Sequence, residues 1–359
     1  MCTFGGEIEK VLKTISIKPT DRVNFNIDAT IIENAFIHQI SQRDPFFKSA
    51  FRGLSLTGSY LDRVRTNLPN EFDMLTKVEL PCFIELVPVR HHQSYIFLRV
   101  RGNNIPYHLT NQLGNEFYIS RRKLQIWFRE NIAAVIPLLQ NIPCSGGRRY
   151  RLEYVPNGHV AHTIKAILLT NPCHFIDFDF VPAFAFSPRE WPREFPRHKN
   201  GEQAWYAVPK KFKSPLAEDD PLSFIVAAPH WERMVLHKKQ NLKDGYRLLK
   251  AVRDANDLPL LFSYTIKSVF LNDAKKNINW NQSPGKILIR AIVQTTNHLN
   301  RGFLPFFLVP KSNVLDHLQK RDIYNYKAKL FRVLKRLIKC RDRDSMSPAD
   351  IKFIFGIEI

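Results

Sequence analysis

The chain has 359 residues, enough to bury a sizeable core in two lobes of ordinary size. Hydrophobic residues make up 44% and aromatics 12%, which excludes a disordered chain, because disordered chains lack the apolar mass that offsets ordering entropy. Lysine and arginine number 53 against 33 acids, a formal charge of +20, so the favoured partners are polyanions: nucleic acid, nucleotides or an anionic membrane surface.

The opening stretch, MCTFGGEIEKVLKTI, has no apolar core of the kind a secretory leader carries, and position 2 is not a glycine for myristoylation. No run approaches the roughly 18 apolar residues of a membrane span. The five cysteines, Cys2, Cys82, Cys144, Cys173 and Cys340, are scattered and lack the spacing of a zinc site. A cytoplasmic protein with reduced, mostly core cysteines is expected.

Residues 28–43 read as a helix, with Ala29, Ile32, Phe36 and Ile40 on one stripe and Pro45 closing it. Strand character follows at 71–80, 94–101, 150–155 and 175–181, with a helical pattern at 121–131 between them. Residues 187–221 are rich in proline and charge and predict an exposed connector. Helical periodicity then dominates at 244–254, 259–271, 284–299 and 326–340. The fold class is therefore α+β: a mixed-sheet lobe with a long N-terminal helix over 1–186, the connector 187–221, and a helical lobe over 222–359. A ligand cleft between two lobes is the economical arrangement.

The chemistry concentrates in GSYLDRVRTNLPNEFDML, residues 58–75. Glu71 follows Ser59 by twelve residues, and Asp73 is two further on. A strand has a side-chain period of two, so Glu71 and Asp73 project from one face. Adjacent carboxylates repel unless a cation sits between them, and oxygen ligands at that spacing suit Mg²⁺ or Mn²⁺. A second acidic strand offers Asp177 and Asp179 between apolar neighbours on both faces, which predicts deep burial and a need for a metal or basic partner. One of these two acids can complete a three-carboxylate site. Gly58 permits close backbone approach, and Ser59 can donate to phosphate oxygens.

These residues resemble the nucleotidyltransferase core of the cyclic GMP–AMP synthase and Mab-21 family: Gly-Ser, E-x-D about a dozen residues on, then an Asp opening a D-x-x-P-A-F-like strand, here DFVPAF. The resemblance implies a bilobal nucleotidyltransferase fold, metal ligation by Glu71, Asp73 and Asp179, and Gly58 and Ser59 on the triphosphate. RLLK resembles the helix with a phosphate-binding lysine, here Lys250, and FSYTIK resembles an S-Y-x-x-K segment, here Ser263, Tyr264 and Lys267. Ser263 and Lys267, at i and i+4, share a helix face suited to a phosphate, while the Tyr264 ring suits a base. Leu261, Phe262, Thr265 and Val269 then anchor the other side. HWERMVL resembles the stretch supplying a further acid near the nucleotide, here Glu232.

The sequence also departs from the family. HKKQNLKDG (237–245) holds no cysteine where the vertebrate DNA-sensing enzyme has a zinc thumb, so no zinc is expected; FIVAAP (224–229) lacks that enzyme's base-contacting arginine. The missing thumb looks more like the insect receptors that respond to double-stranded RNA, while the missing arginine leaves base selection open. The resemblance thus implies an innate immune enzyme that joins ATP and GTP into cyclic GMP–AMP, 2′3′- or 3′2′-linked, when duplex RNA binds. Two chains assembled on one duplex are compatible with it. The alternatives are a 2′-5′ oligonucleotide synthase-like enzyme, a catalytically silent Mab-21-like protein, and a plain RNA-binding protein.

Basic residues cluster at 121–123, 146–151, 209–213 and along 329–339, where Leu330, Val333, Leu334, Leu337 and Ile338 form the inward stripe. Together they predict a sequence-independent phosphate-binding surface. Duplex binding along the helix at 28–43 is expected to rearrange the loop at 58–70.

Overall fold

The computed structural model describes all residues except 1–2, 67, 91, 157–159, 200, 212–219, 277 and 359, so Cys2 and Lys213 lie outside the described residues. Helices α1 (Phe4–Ile15), α2 (Pro19–Arg43) and α3 (Pro45–Ala50) lead into strand β1 (Phe51–Leu56), the one-turn helix α4 (Gly58–Leu61) and β2 (Glu71–Val78). Then come β3 (Phe83–Pro88), β4 (Tyr95–Arg101), β5 (Thr110–Leu113), β6 (Glu116–Ile119), α5 (Arg121–Val135), β7 (Ile142–Pro143), β8 (Arg149–Val155), β9 (His162–Leu168) and β10 (Phe175–Phe186). The chain continues through β11 (Trp205–Pro209), β12 (Phe224–Ala227), α6 (Pro229–Leu236), α7 (Gln240–Ala255), α8 (Ser263–Ala274), α9 (Pro284–Arg301), α10 (Lys320–Asp342) and α11 (Pro348–Phe355).

Two compact units result. Residues Lys18–Leu61 and Leu68–His230 form one; Met1–Ile17, Asp62–Asn67 and Trp231–Ile359 form the other. In the first, the strands join a single mixed sheet in the order β5-β6-β4-β12-β11-β10-β9-β8-β7, with β3 on β4, and β1 reaching β10 through β2. The β2–β10 pair is parallel and its neighbours antiparallel. The main core lies on one face of this sheet, and a smaller cluster of Leu75, Ala183 and Tyr206 lies on the other. Phe25, Ala29, Ile32, Phe36 and Ile40 of α2, with Phe128, Ile132 and Val135 of α5, pack against Phe72, Met74, Ile176, Phe178 and Phe180. Each phenylalanine so buried contributes about 1.5–3 kcal/mol.

Helix α2 begins nine residues before the expected start at 28, with Pro19 in its first turn. The early turns carry a thinner apolar stripe: Phe25 is buried, but Val23 and Ile27 are exposed, and an acid, Asp28, occupies an inward position. That acid is buried because Arg148, Ser145 and the Tyr150 hydroxyl all bond to it. Burial opposes its ionisation, but these partners together lower its pKa. A tertiary network thus extends a helix that periodicity alone ends early.

Within the expected exposed connector, Trp205–Pro209 form a strand between β10 and β12, and Trp205 and Ala207 are fully buried. Its five apolar residues are masked in the sequence by the prolines and charges around them. Strand β12 likewise belongs to the sheet-bearing unit, although it falls within the expected helical lobe. Among the described cysteines all are free thiols; Cys340 is buried, whereas Cys173 is exposed and Cys82 and Cys144 are intermediate, so most are not core residues.

In the helical unit, α1 adds an unforeseen stripe of Phe4, Ile8, Val11, Leu12 and Ile15. Helix α7 packs closely on α9 at Gly245, where a Cβ would lie 2.5 Å from the Ile287 side chain. Among the described residues no helix is long and apolar enough to cross a membrane.

Phe178 is fully buried at the centre of the sheet core. Phe178→Ala should cost about 3–5 kcal/mol, read as a lowered urea midpoint.

Candidate active site

Strand pairing places the acids. In the parallel register Glu71 lies beside Asp177 and Asp73 beside Asp179. Because side chains alternate, Phe72, Met74, Phe178 and Phe180 enter the core and the four acids share the opposite face. That face is not deeply buried. Asp177 and Asp179, with Phe175 and Val181 beside them, are all of intermediate exposure, which corrects the reading of β10 as apolar on both sides.

The four acids are not equivalent. Carboxylate oxygens of Glu71, Asp73 and Asp179 lie within 4.8 Å of one another. The antiparallel neighbour β9 sets the difference: Thr163 stands opposite Asp179 and donates a hydroxyl to it, while Lys165 stands opposite Asp177. Lys165 Nζ is 4.0 Å from the Asp177 carboxylate and 4.3 Å from the Phe175 ring centroid. The cationic neighbour partly neutralises Asp177. The trio offers hard oxygen donors in a compact, like-charged cluster, and this donor set fits Mg²⁺ or Mn²⁺.

The Gly58-Ser59 turn is built onto the same cluster. Thr57 donates its backbone N–H (2.8 Å) and its hydroxyl (3.2 Å) to the Asp73 carbonyl. Gly58 has φ +63°, and a Cβ there would come within 1.8 Å of Asp73 Oδ2. Only glycine fits both demands. Ser59 is half-buried on α4, and the next residue, Tyr60, is buried. The Tyr60 hydroxyl donates to Asn26 of α2, the Arg22 guanidinium lies 5.0 Å from its ring, and Phe72 packs on it at 4.6 Å. The turn carrying Ser59 is thereby tied to both β2 and α2.

The remaining expected nucleotide contacts lie in the helical unit. Ser263, exposed at the start of α8, accepts from Arg253 Nη1 at 3.2 Å. Lys250 is buried, with Nζ 3.5 Å from the Val64 carbonyl. Lys267 is buried too, and its Nζ lies 2.7 Å from Asp62 Oδ2 and 2.8 Å from Glu232 Oε2. Burial opposes the charge on Lys267, but Asp62 and Glu232 outweigh it and hold its pKa above the ordinary range. Tyr264 donates to Glu232 Oε1 at 2.6 Å, and burial followed by that carboxylate raises its pKa. Lys267 and Glu232 are therefore engaged with each other, and Ser263 is exposed whereas Lys267 is enclosed. Phe262, expected as an apolar anchor, is 48% exposed and stacks on His317 at 4.7 Å. Asp62 was missed by the sequence reading, which gave it no role; it lies inside the same 58–75 stretch.

Two basic clusters far apart in sequence converge. Arg121, Arg122 and Arg129 of α5, with Lys210 and Lys211 after β11, line a cavity of about 870 Å³, together with Gln125, Tyr154 and His162. Burial and then the Arg129 charge push the His162 pKa down to about 4, so this imidazole is neutral. The 146–151 cluster behaves differently, since Arg148 bonds Asp28, Arg149 bonds Asn141 and Arg151 pairs with Glu153. On α10, Arg332, Lys335 and Lys339 are exposed, Arg336 pairs with buried Asp350, and the inward stripe is fully buried only at Leu330, Val333 and Leu337.

A mixed sheet that gathers three carboxylates on adjacent parallel strands, with a glycine–serine turn held close against one of them, defines a nucleotidyltransferase. Similarity to known proteins agrees. The Mab-21 protein nucleotidyltransferase domain matches residues 60–253, and the Mab-21 protein HhH/H2TH-like domain matches residues 241–332. Over 357 residues the chain is 58% identical to a cyclic GMP–AMP synthase-like receptor of Drosophila eugracilis, covering 99% of this chain and 96% of that protein. It is 34% identical over 325 residues to a cyclic GMP–AMP synthase-like protein of Drosophila melanogaster, covering 89% of each. A cyclic GMP–AMP synthase-like receptor of Aethina tumida is 25% identical over 89% of this chain and 84% of its own length. The chain belongs to the insect cyclic GMP–AMP synthase-like receptor family of Mab-21 nucleotidyltransferases.

The clustered acids repel when no cation is bound. Asp73→Asn should therefore raise the thermal midpoint measured in EDTA, and Mn²⁺ should raise the midpoint of the unaltered chain but not that of the variant.

Proposed function

We propose that this protein joins ATP and GTP into cyclic GMP–AMP, in 2′3′ or 3′2′ linkage, as an innate immune second messenger made when double-stranded RNA binds. The observation that carries the catalytic reading is the Glu71, Asp73 and Asp179 cluster, with oxygens within 4.8 Å of one another. Similarity to cyclic GMP–AMP synthase-like receptors over nearly the whole chain supports the product class.

In this reading Glu71, Asp73 and Asp179 hold Mg²⁺ or Mn²⁺. Such ions supply charge neutralisation on the triphosphate and activation of the attacking hydroxyl. Gly58 lets the backbone approach Asp73, and Ser59 donates its hydroxyl to triphosphate oxygens. The family resemblance assigns phosphate contact to Lys250 and Ser263 and base stacking to the Tyr264 ring. Lys165 keeps Asp177 out of the metal-binding set by pairing with it.

The same reading makes Arg121, Arg122, Arg129, Lys210 and Lys211 part of the RNA interface, because their concave cationic surface suits phosphates read without regard to sequence. The hydrogen bond from Tyr60 to Asn26 and the Arg22 guanidinium over its ring offer a route by which RNA on α2 changes the placement of Ser59. The protein acts in the cytoplasm, and more than one chain can occupy a long duplex.

Purified protein with ATP, GTP and Mg²⁺ or Mn²⁺ should yield a phosphatase-resistant product only when a duplex of about 40 base pairs is present. That product should be absent from Glu71→Ala/Asp73→Ala. Linear 2′-5′ products on the same chromatogram would favour the oligonucleotide synthase alternative. Duplex binding without any product would favour a silent Mab-21-like protein.

Arg122→Ala/Lys211→Ala should weaken RNA binding equally across sequences and lower the slope of log K against log salt by about one to two. Titrations at several salt concentrations read this directly.

A further inference from the structure

The buried cluster around Lys267 has a geometry that phosphate binding does not require. Lys267 Nζ is within 2.7 and 2.8 Å of two carboxylates, Asp62 is fully buried, and Glu232 takes a second bond from Tyr264. A cation enclosed by two acids is already compensated, and a phosphate brought to it would meet the repulsion of both. Buried ion pairs add little net stability, because desolvation offsets their attraction; a better-attested use is to fix one arrangement.

Here the arrangement fixed is a stretch of backbone. Asp62 opens Asp62–Asn67, a piece of the helical unit whose flanking residues on both sides belong to the other unit. Arg247 Nη2 donates to the Arg63 carbonyl at 2.5 Å, Lys250 Nζ approaches the Val64 carbonyl, and Thr66 bridges to Ser16. Arg63 has φ +59°, a left-handed conformation that a long side chain keeps only when its surroundings impose it. Ser59 precedes Asp62 by three residues.

We infer that Asp62 and Lys267 are positioning residues: their buried pair anchors segment 62–66 in the helical unit and, through three residues of chain, fixes the placement of Ser59. Lys267 then acts on the backbone and not on a nucleotide phosphate. The inference rests on the catalytic role proposed for Ser59, but the anchoring itself is measurable without turnover.

The full chain carrying Asp62→Leu, Glu232→Gln and Lys267→Met together loses every charge of the cluster and leaves no acid uncompensated. It should unfold cooperatively near the original midpoint, with amide exchange across 58–66 accelerated about ten-fold and the rest unchanged. RNA-dependent kcat should fall about 10²-fold while KM for ATP stays within about two-fold. In a Ser59→Ala background the same triple change should lower kcat little further, because both act through one contact. If the triple variant fails to fold, Asp62→Asn keeps the shape, leaves Lys267 beside Glu232 and should give the same pattern at smaller amplitude.

Unchanged exchange across 58–66, additive losses with Ser59→Ala, or a raised KM for ATP at unchanged kcat would each overturn the inference. A wild-type chain that makes no product sinks the catalytic reading instead, and the exchange measurement still decides the anchoring.

Discussion

The parallel pairing of β2 with β10 is the constraint on which the rest of the sheet-bearing unit depends. One register sets Phe72 beside Phe178 and Met74 beside Phe180 on the core face, and on the other face sets Asp73 beside Asp179. A slip of one residue would bury the acids and expose the phenylalanines, so the core enforces the site. The repulsion among the carboxylates is tolerated because Phe72 of β2 and Phe178 and Phe180 of β10, stacked in series and covered by Phe36 of α2, hold both strands in place. Local instability at a site, held by a core that does not yield, is how binding of a cation becomes favourable.

A second theme is the way polar networks take over where apolar periodicity stops. Asp28 sits where a core residue belongs, and Arg148, Ser145 and Tyr150 complete it, so that α2 runs on to Pro19. This extension brings Arg22 and Asn26 to Tyr60, beside Ser59. The same acid takes Arg148 out of the solvent-facing charge of the chain. The count of 53 lysines and arginines therefore overstates the free basic groups, because several of them are paired with acids, whereas the net charge of +20 already allows for such pairs. Arg99 is another case, bound between Glu85 and Glu116.

Lys267 illustrates the same point at the proposed site. Its helical spacing from Ser263 is compatible with a shared phosphate, yet the two side chains have different surroundings, one exposed and one enclosed by carboxylates. Helical spacing states which residues share a face, not whether that face meets solvent or another part of the chain. Asp62 decides it, from a segment about two hundred residues away in sequence, which no local rule links to α8.

The sequence by itself determined the fold class, the acidic strands, the Gly-Ser turn and the helical second half. These features follow from local rules: side-chain alternation, helical period and glycine's backbone freedom. Tertiary structure alone decided the first turns of α2, the burial of Trp205–Pro209 and the convergence of two basic clusters in one cavity. It also gave a physical reason to separate Asp179 from Asp177, which the residues alone left open, since Thr163 and Lys165 on β9 stand opposite them. Each of these outcomes turns on which distant side chain arrives as a partner, and partner choice is a long-range property that periodicity and spacing do not encode.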